Sequence, residues 1–128
     1  MKVLLDTHAF LWYCIGDSHL SPEAKKTIED NSCQPLLSVA SIWEMAIKVS
    51  LGKLRFLRSF DEIIPELLQL NGIILLPLVM NHCFNMINLP FYHRDPFDRL
   101  LVSQALTEQI PLISADKTFD SYNVKRIW

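Results

Sequence analysis

The sequence predicts an α/β fold: a central parallel sheet of four to five short strands with helices over both faces, a three-layer α/β/α arrangement. Three features lead there. Short apolar runs recur without the alternation of a half-exposed strand: KVLL, PLLSV, IILL and PLIS. Stretches with helical periodicity and helix start or stop signals separate them. The chain has 128 residues, the length of one domain, so residues 1–128 are read as a single unit that buries about two-thirds of the surface its unfolded chain exposes.

Taken in order, Lys2 to Leu5 reads as the first strand, ended by Asp6. Thr7 to Ile15 follows as a helix with Phe10, Leu11 and Cys14 inward. Ser21-Pro22-Glu23 combines an N-cap, a first-turn proline and a first-turn acid, and starts a helix that runs to about Asp30. Pro35 to Val39 is the second strand, and Ala40 to Leu51 a third helix stopped by Gly52. A fourth helix starts at Asp61, which puts Pro65 in its first turn, where a missing N–H costs little, and ends at Asn71-Gly72. Ile73 to Leu76 is the third strand, Asn81 to about Asn88 a weaker helix, and Leu89 to Pro96 a loop. Phe97 to Glu108 carries Leu100, Leu101 and Ala105 at helical spacing. Pro111 to Ser114 is the fourth strand, Lys117 to Tyr122 a short helix, and Asn123 to Ile127 a fifth strand.

Composition narrows the function. With half of its residues hydrophobic and a fifth charged, the chain is a folded globule and not a disordered segment. No apolar run reaches the ~18 residues a membrane span needs, and MKVLLD does not read as a signal peptide. Cys14, Cys33 and Cys83 form no C-x-x-C pair, which fits reduced thiols in a cytoplasmic protein. The net charge of −2 argues against a broad nucleic-acid surface. Between Met45 and Phe60, however, Lys48, Lys53, Arg55 and Arg58 occur without an acid. That stretch reads either as a phosphate-facing patch or as a solvated helix end and loop. Gly16, Gly52 and Gly72 are the only glycines, so Gly-rich phosphate loops of Walker or Rossmann type are excluded. His8, His19, His82 and His93 lack zinc spacing; His8 lies near the acid site described next and His93 at its rim, and each reads as a structural hydrogen-bonding residue ahead of a ligand. Trp12, Trp43 and Trp128, with Phe10, Phe56 and Phe97, form either a base-stacking set or core and interface.

The acids carry the chemistry. In open parallel sheets, ligands bind beyond the carboxyl ends of the strands. Asp6 directly follows the first strand and Asp116 closely follows the fourth. Glu44 falls at the start of the helix after the second strand, and Asp98 at the start of the helix before the fourth. All four therefore share one edge. Each also has a capping reading: Ser41 with Glu44 makes a capping-box spacing, Asp95 before Pro96 is a good N-cap with Asp98 at N3, and Asp6 and Asp116 stand before helices. Carboxylates gathered on one edge repel one another unless a cation or a proton shares the site. Hard oxygen donors without a His/Cys cluster point to Mg²⁺ or Mn²⁺. Such ions hold phosphates and activate water.

Four segments, LLDTHAFLW, SIWEMAIKVSLGKL, LPFYHRDPFDRLLVSQA and LISAD, in this order, resemble the PIN domain (PilT N-terminus type). More narrowly they resemble the VapC-type ribonuclease toxins of type II toxin–antitoxin modules, over essentially the whole chain. The resemblance implies a metal-dependent endoribonuclease that hydrolyses RNA phosphodiester bonds. It implies Asp6, Glu44, Asp98 and Asp116 as the metal-holding catalytic acids, with Thr7, Asp95 and Ser114 in support. Asp95 is expected to cap its helix while Asp98 is the ligand. Lys48 or Arg99 would bind a flanking RNA phosphate, although Lys48 is equally placed to pair with Glu44 one turn before it. The resemblance also implies a small antitoxin as partner, and a homodimer. Two rivals remain open: a catalytically silent binding module of the same fold, and another phosphohydrolase with strand-end aspartates. The second would want further acids just after the first strand, where Asp6-Thr7-His8 stands.

Overall fold

The computed structural model describes residues 1–128. Five strands form one sheet in the order β3-β2-β1-β4-β5, and every neighbouring pair is parallel. The strands are β1 (Lys2–Leu5), β2 (Gln34–Ser38), β3 (Ile74–Leu76), β4 (Leu112–Ile113) and β5 (Arg126–Ile127). The helices are α1 (Thr7–Ile15), α2 (Pro22–Glu29), α3 (Val39–Ser50), α4 (Phe60–Leu70), α5 (Met80–Met86) and α6 (Pro96–Glu108), with a 3₁₀ helix over Lys117–Ser121. No helix is long and apolar enough to cross a membrane.

The period-two geometry of the strands sorts their side chains into two cores. On one face Val3, Leu5, Leu37 and Ile113 join Ala9, Phe10, Ala24, Ile28 and Met45. On the other Leu4, Leu36, Leu76 and Leu112 join Leu101, Val102, Ala105 and Phe119. Consecutive leucines in KVLL are thus buried in opposite directions, the reason the strands read as unbroken apolar runs. The chain fills the sheet outward from β1 through β2 to β3, then returns by α5 and α6 to β4 on the other side of β1. Strand direction of growth therefore reverses at β1, and the crevice beyond the ends of β1 and β4 lies at that switch point.

Local differences from the sequence reading have simple causes. Helix α3 starts earlier than expected because Ser38, and not Ser41, is the cap: its Oγ accepts the Ala40 N–H at 3.0 Å. Glu44 is displaced into the second turn, so no capping box forms around it. The Ser41 hydroxyl is left buried without a partner. Helix α4 starts at Phe60, which leaves Pro65 inside the helix and not in its first turn. The carbonyl of Asp61, one turn earlier, loses its helical donor, but Asp61 is exposed to water. The fifth strand shrinks to Arg126–Ile127.

Candidate metal centre

Asp6, Thr7, His8, Glu44, Lys48, Asp95, Asp98, Asp116 and Phe119 line one cleft at the switch point. Asp6 leaves β1 and caps α1, its Oδ1 accepting the Ala9 N–H at 2.7 Å. Asp116 follows β4 and caps the 3₁₀ helix, its Oδ1 accepting the Thr118 N–H at 2.9 Å. Ser114, buried just after β4, braces the second acid: its Oγ accepts the Asp116 N–H at 3.0 Å. Glu44 enters from α3, where its Oε1 accepts the Thr7 hydroxyl at 2.6 Å and its Oε2 lies 3.5 Å from Lys48 Nζ. Asp95 caps α6 through Oδ1, accepting from Phe97 N at 2.7 Å and Asp98 N at 3.3 Å. Asp98, two residues inside that helix, has a carboxyl with no hydrogen-bond donor. Capping and participation in the cleft are thus compatible: Asp6, Asp95 and Asp116 each cap with one oxygen and leave the other directed elsewhere.

The electrostatics follow from this crowding. Asp98 is pushed up to about 6, first by burial and then by the like charge of Asp95, with Glu44 and Asp116 adding to it and His93 opposing. Burial also raises Asp6, against the lowering influence of the nearby Ser114 hydroxyl and of the hydrogen bond from Ala9. For Asp116 burial works in the same direction, but hydrogen bonds from His93 and Thr118 outweigh it and hold the carboxyl below its ordinary value. Lys48 is the one lysine or arginine that lines the cleft.

Of the expected residues, Asp6, Glu44, Asp98, Asp116, Thr7, Asp95, Ser114 and Lys48 come together. Arg99 does not join them. It is 6% exposed, and its guanidinium donates to the carbonyls of Pro90, Met86 and Leu89 at 2.9, 3.3 and 3.3 Å while lying 3.9 Å over the Phe91 ring. The physical reason is helical geometry: adjacent residues point about 100° apart, so Arg99 turns away when Asp98 faces the cleft. Arg99 fastens the loop before α6 to the helix. Arg99→Ala is expected to lower stability by ~2–3 kcal/mol through unpaired carbonyls, seen as an earlier denaturant midpoint. An unchanged midpoint would show that those bonds contribute nothing.

The basic stretch before α4 is likewise reduced. Lys48 pairs with Glu44, and Arg58 pairs with Glu66 and lies 4.0 Å from Glu62, so only Lys53 and Arg55 remain outside ion pairs. Among the aromatic residues Phe10 is core, Trp12 stacks with His19 and tilts against His8 and Trp128, and Trp43 is 62% exposed with its ring against the Phe97 edge. His93, expected at the rim as a structural residue, is instead bonded directly to one of the acids. Its Nε2 lies 2.7 Å from Asp116 Oδ2, and His93, Asp98 and Asp116 each present one donor atom within 4.8 Å of the others.

Comparisons with known proteins bear on the fold. The structure resembles VapBC2 from Rickettsia felis, bound to a DNA fragment from its promoter, at TM-score 0.74 and 13% identity, covering 98% of this chain and 97% of that one. It resembles VapBC-1 from nontypeable Haemophilus influenzae at TM-score 0.65 and 17% identity, covering 98% and 96%. A toxin–antitoxin complex from Klebsiella pneumoniae is similar at TM-score 0.62 and 18% identity, covering 94% and 92%. At these identities the likeness concerns the fold. No curated protein matches the sequence significantly. The sequence profile of the PIN domain matches residues 3–125, nearly the whole chain, and the chain therefore belongs to the PIN domain family.

Proposed function

We propose that the chain, acting as a single domain, is a VapC-type toxin: a metal-dependent endoribonuclease that hydrolyses RNA phosphodiester bonds and is held in check by a small antitoxin protein. The observation that carries this reading is Asp98. A carboxyl without a hydrogen-bond donor, pushed up to about 6 by burial and by surrounding acids, is one that a cation would stabilise. The donors around it are mostly carboxylate oxygens, which fit Mg²⁺ or Mn²⁺. Asp6, Asp98 and Asp116 would hold the ion, with Glu44 beside them. Bound there, the ion supplies Lewis-acid stabilisation of the charge that builds on the scissile phosphate.

The remaining roles belong to the protein. Glu44, fixed by the Thr7 hydroxyl on one oxygen, offers its other oxygen to orient the attacking water. Lys48, partly exposed beside it, is placed to bind a flanking phosphate. Ser114 fixes the backbone at Asp116 by accepting its N–H. The antitoxin is supported by the likeness to the toxin–antitoxin complex from Klebsiella pneumoniae. A homodimer in the cytoplasm completes the proposal.

Purified protein, shown to be folded and free of antitoxin, is expected to cleave structured or unstructured RNA in Mn²⁺ or Mg²⁺ and to stop in EDTA. RNA left intact across a broad panel, together with no Mn²⁺ binding, would replace this reading with a silent binding module.

A further inference from the structure

His93 is 8% exposed and is clamped between two rings, with its centroid 4.5 Å from that of Phe119 and 5.5 Å from that of Tyr122, the latter nearly parallel at 6°. Its polar contacts form a chain. The backbone N–H of His93 donates to the Tyr122 hydroxyl oxygen at 2.9 Å. The same oxygen lies 3.1 Å from Nδ1. On the far side of the ring Nε2 meets Asp116 Oδ2 at 2.7 Å.

These contacts assign the proton. An ionised carboxylate only accepts hydrogen bonds, so Nε2 carries the hydrogen. In the neutral ring Nδ1 is then the acceptor, and the tyrosine O–H donates to it. The tyrosine oxygen already accepts a backbone N–H, which directs its own proton toward Nδ1. The chain therefore runs one way, from Tyr122 through His93 to Asp116.

The receiving carboxyl needs such support. The Asp116 side chain is 42% exposed and stands at the start of a five-residue 3₁₀ helix. Thr118 N–H fixes Oδ1 and the His93 ring fixes Oδ2, so the carboxyl plane is held at both ends while each oxygen keeps a free lone pair. A histidine that donates from Nε2 has no lone pair there for a metal. We propose that His93 is a positioning residue of the metal centre, holding Asp116 through Nε2–H while the Tyr122 hydroxyl holds Nδ1, and is not itself a ligand. This rests on the metal-site reading above.

Two measurements test it. The first is the ¹⁵N–¹H spectrum of the imidazole, without and with saturating Mg²⁺. The Nε2–H tautomer is expected in both. Loss of the Nε2 proton on Mg²⁺ binding, with Nδ1–H appearing toward Tyr122, would make His93 a ligand and overturn the proposal. The second is Mn²⁺ binding followed by water-proton relaxation in wild type, His93→Ala, His93→Gln and Tyr122→Phe. Loss of an outer hydrogen-bond partner of a ligand typically weakens metal binding about 10–100-fold, and that is expected for His93→Ala. His93→Gln, which keeps an N–H donor, is expected to recover part of the loss. Tyr122→Phe, which removes the hydroxyl that holds Nδ1, is expected to weaken binding. Circular dichroism establishes that each variant is folded; should His93→Ala fail to fold, Tyr122→Phe decides. A folded His93→Ala or Tyr122→Phe that binds Mn²⁺ as wild type does would sink the positioning role alone. Wild type that binds no Mn²⁺ would remove the metal reading and the positioning role together.

Discussion

Asp98→Asn is expected to lower RNA cleavage by about 10²–10⁴-fold in a protein that remains folded, whereas Asp95→Ala is expected to lower stability by ~1 kcal/mol and leave cleavage within a few-fold. The two acids are three residues apart in HRDPFDR, yet the structure gives them different environments. Asp95 Oδ1 accepts two backbone N–H groups at the start of α6, and alanine removes that acceptor. Asparagine keeps it, so Asp95→Asn serves as the control that changes charge without uncapping the helix. Asp98 has no such bond. Asparagine at 98 keeps the shape, removes an anionic oxygen, and relieves repulsion from Asp95, Glu44 and Asp116, so nothing in the fold opposes it. Cleavage rates on one labelled RNA in Mn²⁺, paired with urea unfolding of each variant, separate the roles. Cleavage lost in Asp95→Asn and kept in Asp98→Asn would exchange the assignments.

The parts of this site that were legible before the structure are those dictated by strand ends. Asp6 and Asp116 could be placed because an apolar run that stops at an acid fixes which edge the acid occupies. Asp98 could be placed because Asp95-Pro96 marks a helix start unambiguously. The register of α3 was harder. Ser38 and Ser41 are both acceptable caps, and only the length of β2, which ends at Ser38, selects between them. Arg99 was readable in principle, since one helical step separates it from Asp98, but a basic residue beside a proposed ligand attracts a functional reading. His93 was readable only as far as the rim of the site, and its bond to Asp116 was not. It lies in a loop without periodicity, and its decisive partners, Asp116 and Tyr122, are 23 and 29 residues away. Contacts of that kind depend on how the loop before α6 meets the 3₁₀ helix, which no local pattern encodes. The sheet order is of the same type: short apolar strands announce a parallel sheet, but not that the chain returns across β1 after β3.

The crowding of the acids also makes stability depend on pH in an unusual direction. For Asp98 the folded-state value is about 6 against an ordinary value of 3.8. The folded protein then binds more protons than the unfolded chain between those values, and stability must fall as pH rises through that window. Asp6, raised by burial, acts in the same sense. Asp116, held below its ordinary value, acts in the opposite sense, its contribution being present above the unfolded value and lost toward acid. Asp98 is partly exposed, so solvent screening reduces its effect to ~1–2 kcal/mol. The expected result is read as a difference between wild type and Asp98→Asn in metal-free buffer, which cancels the other carboxylates. Near pH 4 the two should unfold at similar temperatures. Near pH 7.5 the variant should be the more stable, by roughly 3–10 °C at ~3–5 °C per kcal/mol. Mn²⁺ at about a hundred times its dissociation constant stabilises the folded state by ~2.7 kcal/mol, so its addition at pH 7.5 should reverse the order, raising wild type above the variant. Parallel melting curves at both pH values would mean that Asp98 titrates as an ordinary surface acid. Without a crowded, uncompensated carboxyl at position 98, the case for a cation in this cleft would lose its physical basis.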